Sequence, residues 1–171
     1  MNAARPRLGR AAGHYLPDLV YGANDGIVTT FAVVSGVVGA SLANSVIVIL
    51  GFANLVADGL SMGASNYLAR RSTIEEELVA RREAARHGAA TVAGFVAAGV
   101  LPLAAYLLPL AGEWRFPVAV AIAVSALFAV GAARTVVTRR GLLRSGVEML
   151  VVGSAAGGIA YGIGALAAVL T

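Results

Sequence analysis

The residues with the most chemistry to offer are aspartates set inside apolar runs: Asp25 and Asp58 each lie in a stretch long enough to cross a bilayer. A charged side chain at membrane depth costs at least about 2.5–3.5 kcal/mol on insertion scales, so its presence points to function. Asp18 and Asp25 are two helical turns apart, which puts both carboxylates on one helix face. Asn54, Asp58, Ser61, Met62 and Ser65 fall within an arc of roughly 100° at 3.6 residues per turn. That polar stripe cannot face lipid cheaply and must meet a partner helix or a water-filled cavity. Its donors are oxygens and one thioether, and the chain has no cysteine. Such a set suits Mg²⁺, Mn²⁺ or Fe²⁺ better than copper or zinc, with Met62 tilting the choice toward softer ions.

The elements that must position these groups are helices. Of 171 residues 58% are hydrophobic, the mean hydropathy is +0.81, and a soluble domain averages about 45–50% apolar. A spanning helix needs about 20 mostly apolar residues. The pattern predicts an all-α, polytopic membrane protein forming one transmembrane domain over 1–171, with spans at about 19–40, 46–68, 89–108, 118–137 and 147–170. A basic head (1–18) precedes the first span, and residues 70–88 form a polar connection. The head resembles a signal-peptide n-region, but Pro17, Asp18, Asn24 and Asp25 interrupt the stretch where an h-region would lie, so it is expected to be retained. A loop over 109–117 carries Glu113, Trp114 and Arg115, the tryptophan suiting a membrane interface.

Arginine placement gives the orientation. With five spans, all the arginines except Arg115 fall on one side, which predicts a cytoplasmic N-terminus and an outside C-terminus. The net charge of +4 is therefore a topology signal and not a nucleic-acid patch. No nucleophile–base pair or phosphate-binding loop is visible, so no enzyme is expected, and no cofactor. His14 and His87 read as interfacial, with no metal-ligand spacing nearby. Glu75, Glu76, Glu77 and Glu83 read as a solvated face paired with arginines, as in Glu77 with Arg81. Gly22–Gly26, Gly59–Gly63 and Gly158–Gly162 share the G-x-x-x-G spacing that permits close helix contact.

At these residues the sequence resembles the vacuolar iron transporter family, which includes the plant nodulin-21-like proteins. DLVYGANDG at 18–26 resembles its first-span signature, LSMGASNYL at 60–68 its second, and SGVEML at 145–150 a third. The resemblance implies a five-helix, two-fold homodimer in the lipid bilayer that exports Fe²⁺ or Mn²⁺ from the cytoplasm in exchange for protons. Carried over residue by residue, Asp25 and Met62 match intramembrane metal positions, and Asp18 and Glu148 match cytoplasm-side acidic ones. In a two-fold dimer each ligand occurs twice.

Two departures stand out. Asn54 occupies a position where the family often carries glutamate, and 70–88 is too short for the glutamate-rich helical domain that many members insert there. The chain reads as a minimal member.

Other readings stay open at this level. Asp58 is either a pathway carboxylate or a hydrogen-bonding partner for a neighbouring helix. Ser145 and Glu148 also fit a capping box at the start of the fifth span. The alternatives to a divalent-metal transporter are a non-transporting membrane assembly or regulatory module, or a carrier of another solute. The lysine-free basic set suggests a bacterial plasma membrane.

Overall fold

A computed structural model describes residues 7–72, 77–135 and 141–170. They form five helices: α1 (Arg7–Gly39), α2 (Asn44–Arg71), α3 (Glu77–Leu107), α4 (Gly112–Ala133) and α5 (Leu142–Leu170). In hydrocarbon a helix satisfies its backbone polar groups internally, which is why long apolar runs resolve this way. Four helices, α2 to α5, are long and apolar enough to cross a membrane, and the chain is a multi-pass membrane protein. At 33 residues α1 also has the length, but Asn24, Asp25, Thr29, Thr30 and Ser35 dilute its apolar character.

Close contacts give the helix directions. On α1, a Cβ at Gly22 would strike the Thr91 carbonyl and one at Gly26 the Phe95 carbonyl, while on α3 one at Gly94 would strike Leu19. Asp18 opposite His87, Gly22 opposite Thr91 and Gly26 opposite Phe95 rise together, so α1 and α3 run parallel, backbone against backbone. Gly157 meets Phe31 and Gly164 meets Gly36, making α5 parallel to α1. Conversely, Gly51 meets Leu103 and Gly63 meets Gly88, so α2 is antiparallel to α3. Gly131 against Ser145 and Gly153 against Leu127 make α4 antiparallel to α5. The bundle alternates strictly, with α1 and α3 at its centre, α2 on one flank and α4 with α5 on the other.

Two core clusters fill the layers. One joins Val34, Ile47, Leu55, Phe95 and Leu103, and the other joins Ile27, Phe31, Leu127 and Met149. Outside them, α2 exposes Ile49, Phe52, Val56 and Leu60, and α5 exposes Val151, Ile159, Ile163 and Leu166. An apolar surface this large is what lipid or a partner helix covers.

The turn from α1 to α2 closes on Ser41, at φ 55°. Ser41 N–H donates to Val38 O at 2.9 Å and Leu42 N–H to Val37 O at 3.1 Å, a Schellman closure in which glycine is the usual residue.

Several expected boundaries shift. The connection assigned to 70–88 is mostly helix, because α3 begins at Glu77 and continues unbroken into the apolar run. The segment holds good helix formers, and charge marked it as a loop only by composition. Residues 112–117, expected in a loop, open α4, which stops at Ala133 rather than 137. Helix α5 starts at Leu142, which places Ser145 inside the helix, where it is buried; it caps nothing. Arg5, Glu75, Glu76, Arg139 and Arg140, together with the Glu77 side chain, lie outside the described residues.

The three glycine pairs separate into two kinds. Gly22–Gly26 and Gly59–Gly63 face α3, whereas added Cβ atoms at Gly158 and Gly162 would meet nothing within 4 Å. Gly26→Leu is therefore expected to destabilise the bundle by at least about 1–3 kcal/mol through overpacking. Gly158→Ala should leave the melting temperature in detergent unchanged or raise it. Differential scanning fluorimetry of the two variants checks the contrast.

Candidate metal path and its polar head

Asp25 is half-buried on α1, one turn before Thr29, whose Oγ1 donates back to the Asp25 carbonyl at 2.9 Å. Across the gap Asn54 Nδ2 donates to Thr29 Oγ1 at 3.4 Å. The carboxylates of Asp25 and Asp58 lie within electrostatic reach of each other. The α2 stripe thus meets the polar face of α1. Asn54, Asp58 and Met62 are half-buried, whereas Ser61 and Ser65 on the outer edge are exposed. Met62 packs against the cluster containing Leu55 and Phe95.

Next to Asp25, Asn24 turns the other way. It lines a cavity of about 380 Å³ with Pro17, Tyr21, Arg134 and Met149, and its buried Oδ1 has no protein partner. Helix α1 is therefore polar on two sides.

Asp18 is placed differently from Asp25. It is buried, 5% exposed, inside a hydrogen-bonded cluster where the arginine-rich ends of α1, α2 and α3 meet. Asn66 Nδ2 donates to its Oδ1 at 2.7 Å and Arg70 Nη2 to the same oxygen at 2.9 Å. His87 Nδ1 lies 2.6 Å from Oδ2. Asn66 also bonds Thr91 Oγ1 at 2.6 Å and accepts from Arg70 Nε at 2.8 Å. Burial would raise the Asp18 pKa, but the bonds from Asn66, His87 and Arg70 outweigh it and hold the carboxyl below its ordinary value.

Glu148 is half-exposed and pairs with Arg144 Nε at 3.2 Å, one turn away on α5. Both groups border an open cavity with Arg134 and Met149.

The two histidines correct the expectation made of them. His87 is 3% exposed, and the structure brings it to His14, Nε2 to Nε2, at 3.2 Å. Glu83 Oε1 is 2.8 Å from His14 Nε2 and accepts from the Tyr15 hydroxyl at 3.3 Å, so this glutamate is more than a solvated, arginine-paired one. Sequence spacing could not reveal contacts between residues so far apart, although Asn66–Arg70 and His87–Thr91 are legible as i, i+4 pairs.

Residues 16–87 and 73–165 match the sequence model of the VIT family. The chain belongs to the VIT family. Vacuolar iron transporter homolog 5 of Oryza sativa subsp. japonica is 32% identical over 167 residues, covering 90% of this chain and 80% of that protein. Vacuolar iron transporter 1 of Arabidopsis thaliana is 37% identical over 70 residues, 41% of this chain and 27% of that one. For the vacuolar iron transporter of Plasmodium berghei (strain Anka) the figures are 40% over 68 residues, 40% of this chain and 25% of the relative. This VIT-family chain thus spans about a quarter of the length of the Arabidopsis and Plasmodium proteins, but most of the rice one. These organisms lend no support to the expected bacterial plasma membrane.

In this VIT-family bundle Asp18 is the keystone of the head. Asp18→Asn removes the charge that faces Arg70 and His87, and it should cost about 1.5–3 kcal/mol, the range for a hydrogen bond to a charged group. Because the folded pKa is lowered, the wild-type contribution is fully present above the unfolded value of about 3.9. It is lost as pH falls through the lower folded value. Melting curves from pH 7 to 3 should show the wild type converging on Asp18→Asn at the acid end.

Proposed function

We propose that the chain is a divalent-metal transporter that exports Fe²⁺ or Mn²⁺ from the cytoplasm in exchange for protons. The observation that carries the reading is that the polar face of α1 with Asp25 and Thr29 and the α2 stripe with Asn54 and Asp58 face each other, Asn54 bonding Thr29, within apolar helices of a family whose named relatives are vacuolar iron transporters. Carboxylate and amide oxygens with a thioether one turn away suit a divalent ion of intermediate softness. Protons compete for the same carboxylate oxygens, which supplies a route to exchange.

In this reading α1 is the fifth span. Its parallel course beside α3 and α5 supports that assignment, since alternating helices crossing one bilayer must run this way. Arg70, Arg71, Arg81, Arg82, Arg86, Arg134 and Arg144 then share one end of the bundle, the end we assign to the cytoplasm, and Arg115 lies at the other. Asp18 and Glu148 stand at the cytoplasmic end, though Asp18 is enclosed and acts there as a structural carboxylate.

The working unit is a two-fold homodimer. The exposed edge of the α2 stripe, Ser61 and Ser65, supports this: small hydroxyl residues are enriched where helices pack against each other in a membrane, and a second copy would cover them. Each of Asp25 and Met62 would then occur twice around one ion. A non-transporting assembly module is the second reading, favoured by the short link between Arg71 and Glu77, which leaves no room for a separate metal-capturing domain.

Proteoliposomes loaded with a metal-quenched dye distinguish the two. Saturable Fe²⁺ or Mn²⁺ flux driven by a pH gradient is expected, reduced at least tenfold in Asp25→Ala and several-fold in Met62→Ala. Wild-type flux in Asp25→Ala would sink the site, and absence of any saturable flux would favour the module.

A further inference from the structure

The head of the bundle contains a second set of ligands, well apart from the intramembrane carboxylates. His14 Nε2, His87 Nε2 and Glu83 Oε1 converge from α1 and α3, all within 4.8 Å of one another. Their separations are 2.8 Å for His14 to Glu83, 3.2 Å for His14 to His87 and 3.7 Å for His87 to Glu83. Ligands about 2.1 Å from a metal ion stand about 3.0–3.4 Å apart in octahedral or tetrahedral geometry. The three edges bracket that range, so a shift of a few tenths of an ångström in the partly exposed Glu83 and His14 side chains would bring the triangle to it.

The hydrogen bonding around them fits a ligand set. An ionised carboxylate only accepts, so His87 Nδ1 carries the proton toward Asp18 Oδ2 at 2.6 Å. The Nε2 lone pair of His87 is thereby turned toward His14 and Glu83. Imidazole held by an outer carboxylate is the arrangement that orients metal-bound histidines and raises their basicity. A proton on His14 Nε2 would face both the Glu83 carboxylate and the His87 Nε2 lone pair. A cation in its place would be held by all three atoms. His87 is buried, Glu83 is partly exposed, and His14 has a side-chain exposure of 55%, which leaves an approach from solvent.

We propose that His14, Glu83 and His87 bind one borderline divalent transition ion, of the Zn²⁺ or Fe²⁺ type, with Asp18 as the outer carboxylate that orients His87. Two imidazoles select against Mg²⁺ and Ca²⁺, which prefer all-oxygen sites. His14 precedes Asp25 by about 16 Å along α1 at 1.5 Å per residue, so the two sites are separate. Binding here does not depend on whether the chain transports anything.

The test titrates the purified full-length chain in detergent with Co²⁺, read by its visible d–d absorption and by equilibrium dialysis. One Co²⁺ per chain with the intense spectrum of a low-coordinate nitrogen–oxygen site is expected, undisplaced by excess Mg²⁺ and preserved in Asp25→Ala. Affinity should fall at least tenfold in His14→Ala and in Glu83→Gln. Both residues are partly exposed, and an unchanged melting temperature shows that each variant folds. Wild-type Co²⁺ affinity in folded His14→Ala, loss of the spectrum in Asp25→Ala, or no such spectrum in the wild type would each overturn the assignment.

Discussion

The structure depends on one contact, the approach of α1 to α3 through Gly22, Gly26, Gly94 and Gly99. At these positions the space for a Cβ is occupied by the opposite backbone. Lipid offers no hydrophobic force to drive two helices together, so packing this close must supply the stability that burial supplies in water. Because the contact is parallel and in register, it sets the level of everything polar on α1. Asp18 arrives opposite His87, and Asp25 and Thr29 arrive beside the polar edge of α2. A different register would leave the same side chains facing lipid.

The same closeness explains what the head tolerates. Asp18, His87, Thr91 and Asn66 are buried or half-buried polar groups, a costly combination unless every group is paired. Here the pairing is dense: two donors on one aspartate oxygen, an imidazole on the other, and Thr91 Oγ1 bonded back to the His87 carbonyl at 3.1 Å. Deeper in the bundle the pairing thins. Asn24 Oδ1, Thr30 Oγ1 and the Tyr106 hydroxyl are buried with no protein partner. The head is a densely paired network, whereas the bundle interior retains unmet polar capacity.

How much was legible in the sequence depends on the range of each physical effect. The cost of a charge in hydrocarbon is local, so Asp25, Asp58 and the stripe around Met62 could be read from the chain alone. Apolar runs and arginine placement are local as well, and they mark the helices, although not their ends. Charge within 70–88 masked a helix start, and the capping-box pattern at Ser145 and Glu148 fell inside a helix already three residues old. The cluster of His14, Glu83 and His87 was not legible, because it exists only through the α1–α3 register and joins residues about seventy positions apart. Asp18 was singled out from its signature as a cytoplasm-side acid, but its enclosure by Asn66, Arg70 and His87 required the fold.

An odd number of alternating helices has an electrical consequence. Three amino ends, those of α1, α3 and α5, and two carboxyl ends gather at the arginine-bearing face, so the macrodipoles do not cancel and roughly half an elementary charge of positive sign remains. Added to the guanidinium groups there, this gives the face a positive potential that repels a divalent cation within about a Debye length of the surface, 8–10 Å at ordinary ionic strength. Asp18, Glu83 and Glu148 are the acidic side chains described at that face. Asp18 is enclosed by its partners, so the partly exposed Glu83 and Glu148 are the carboxylates that offset this field where a cation would arrive.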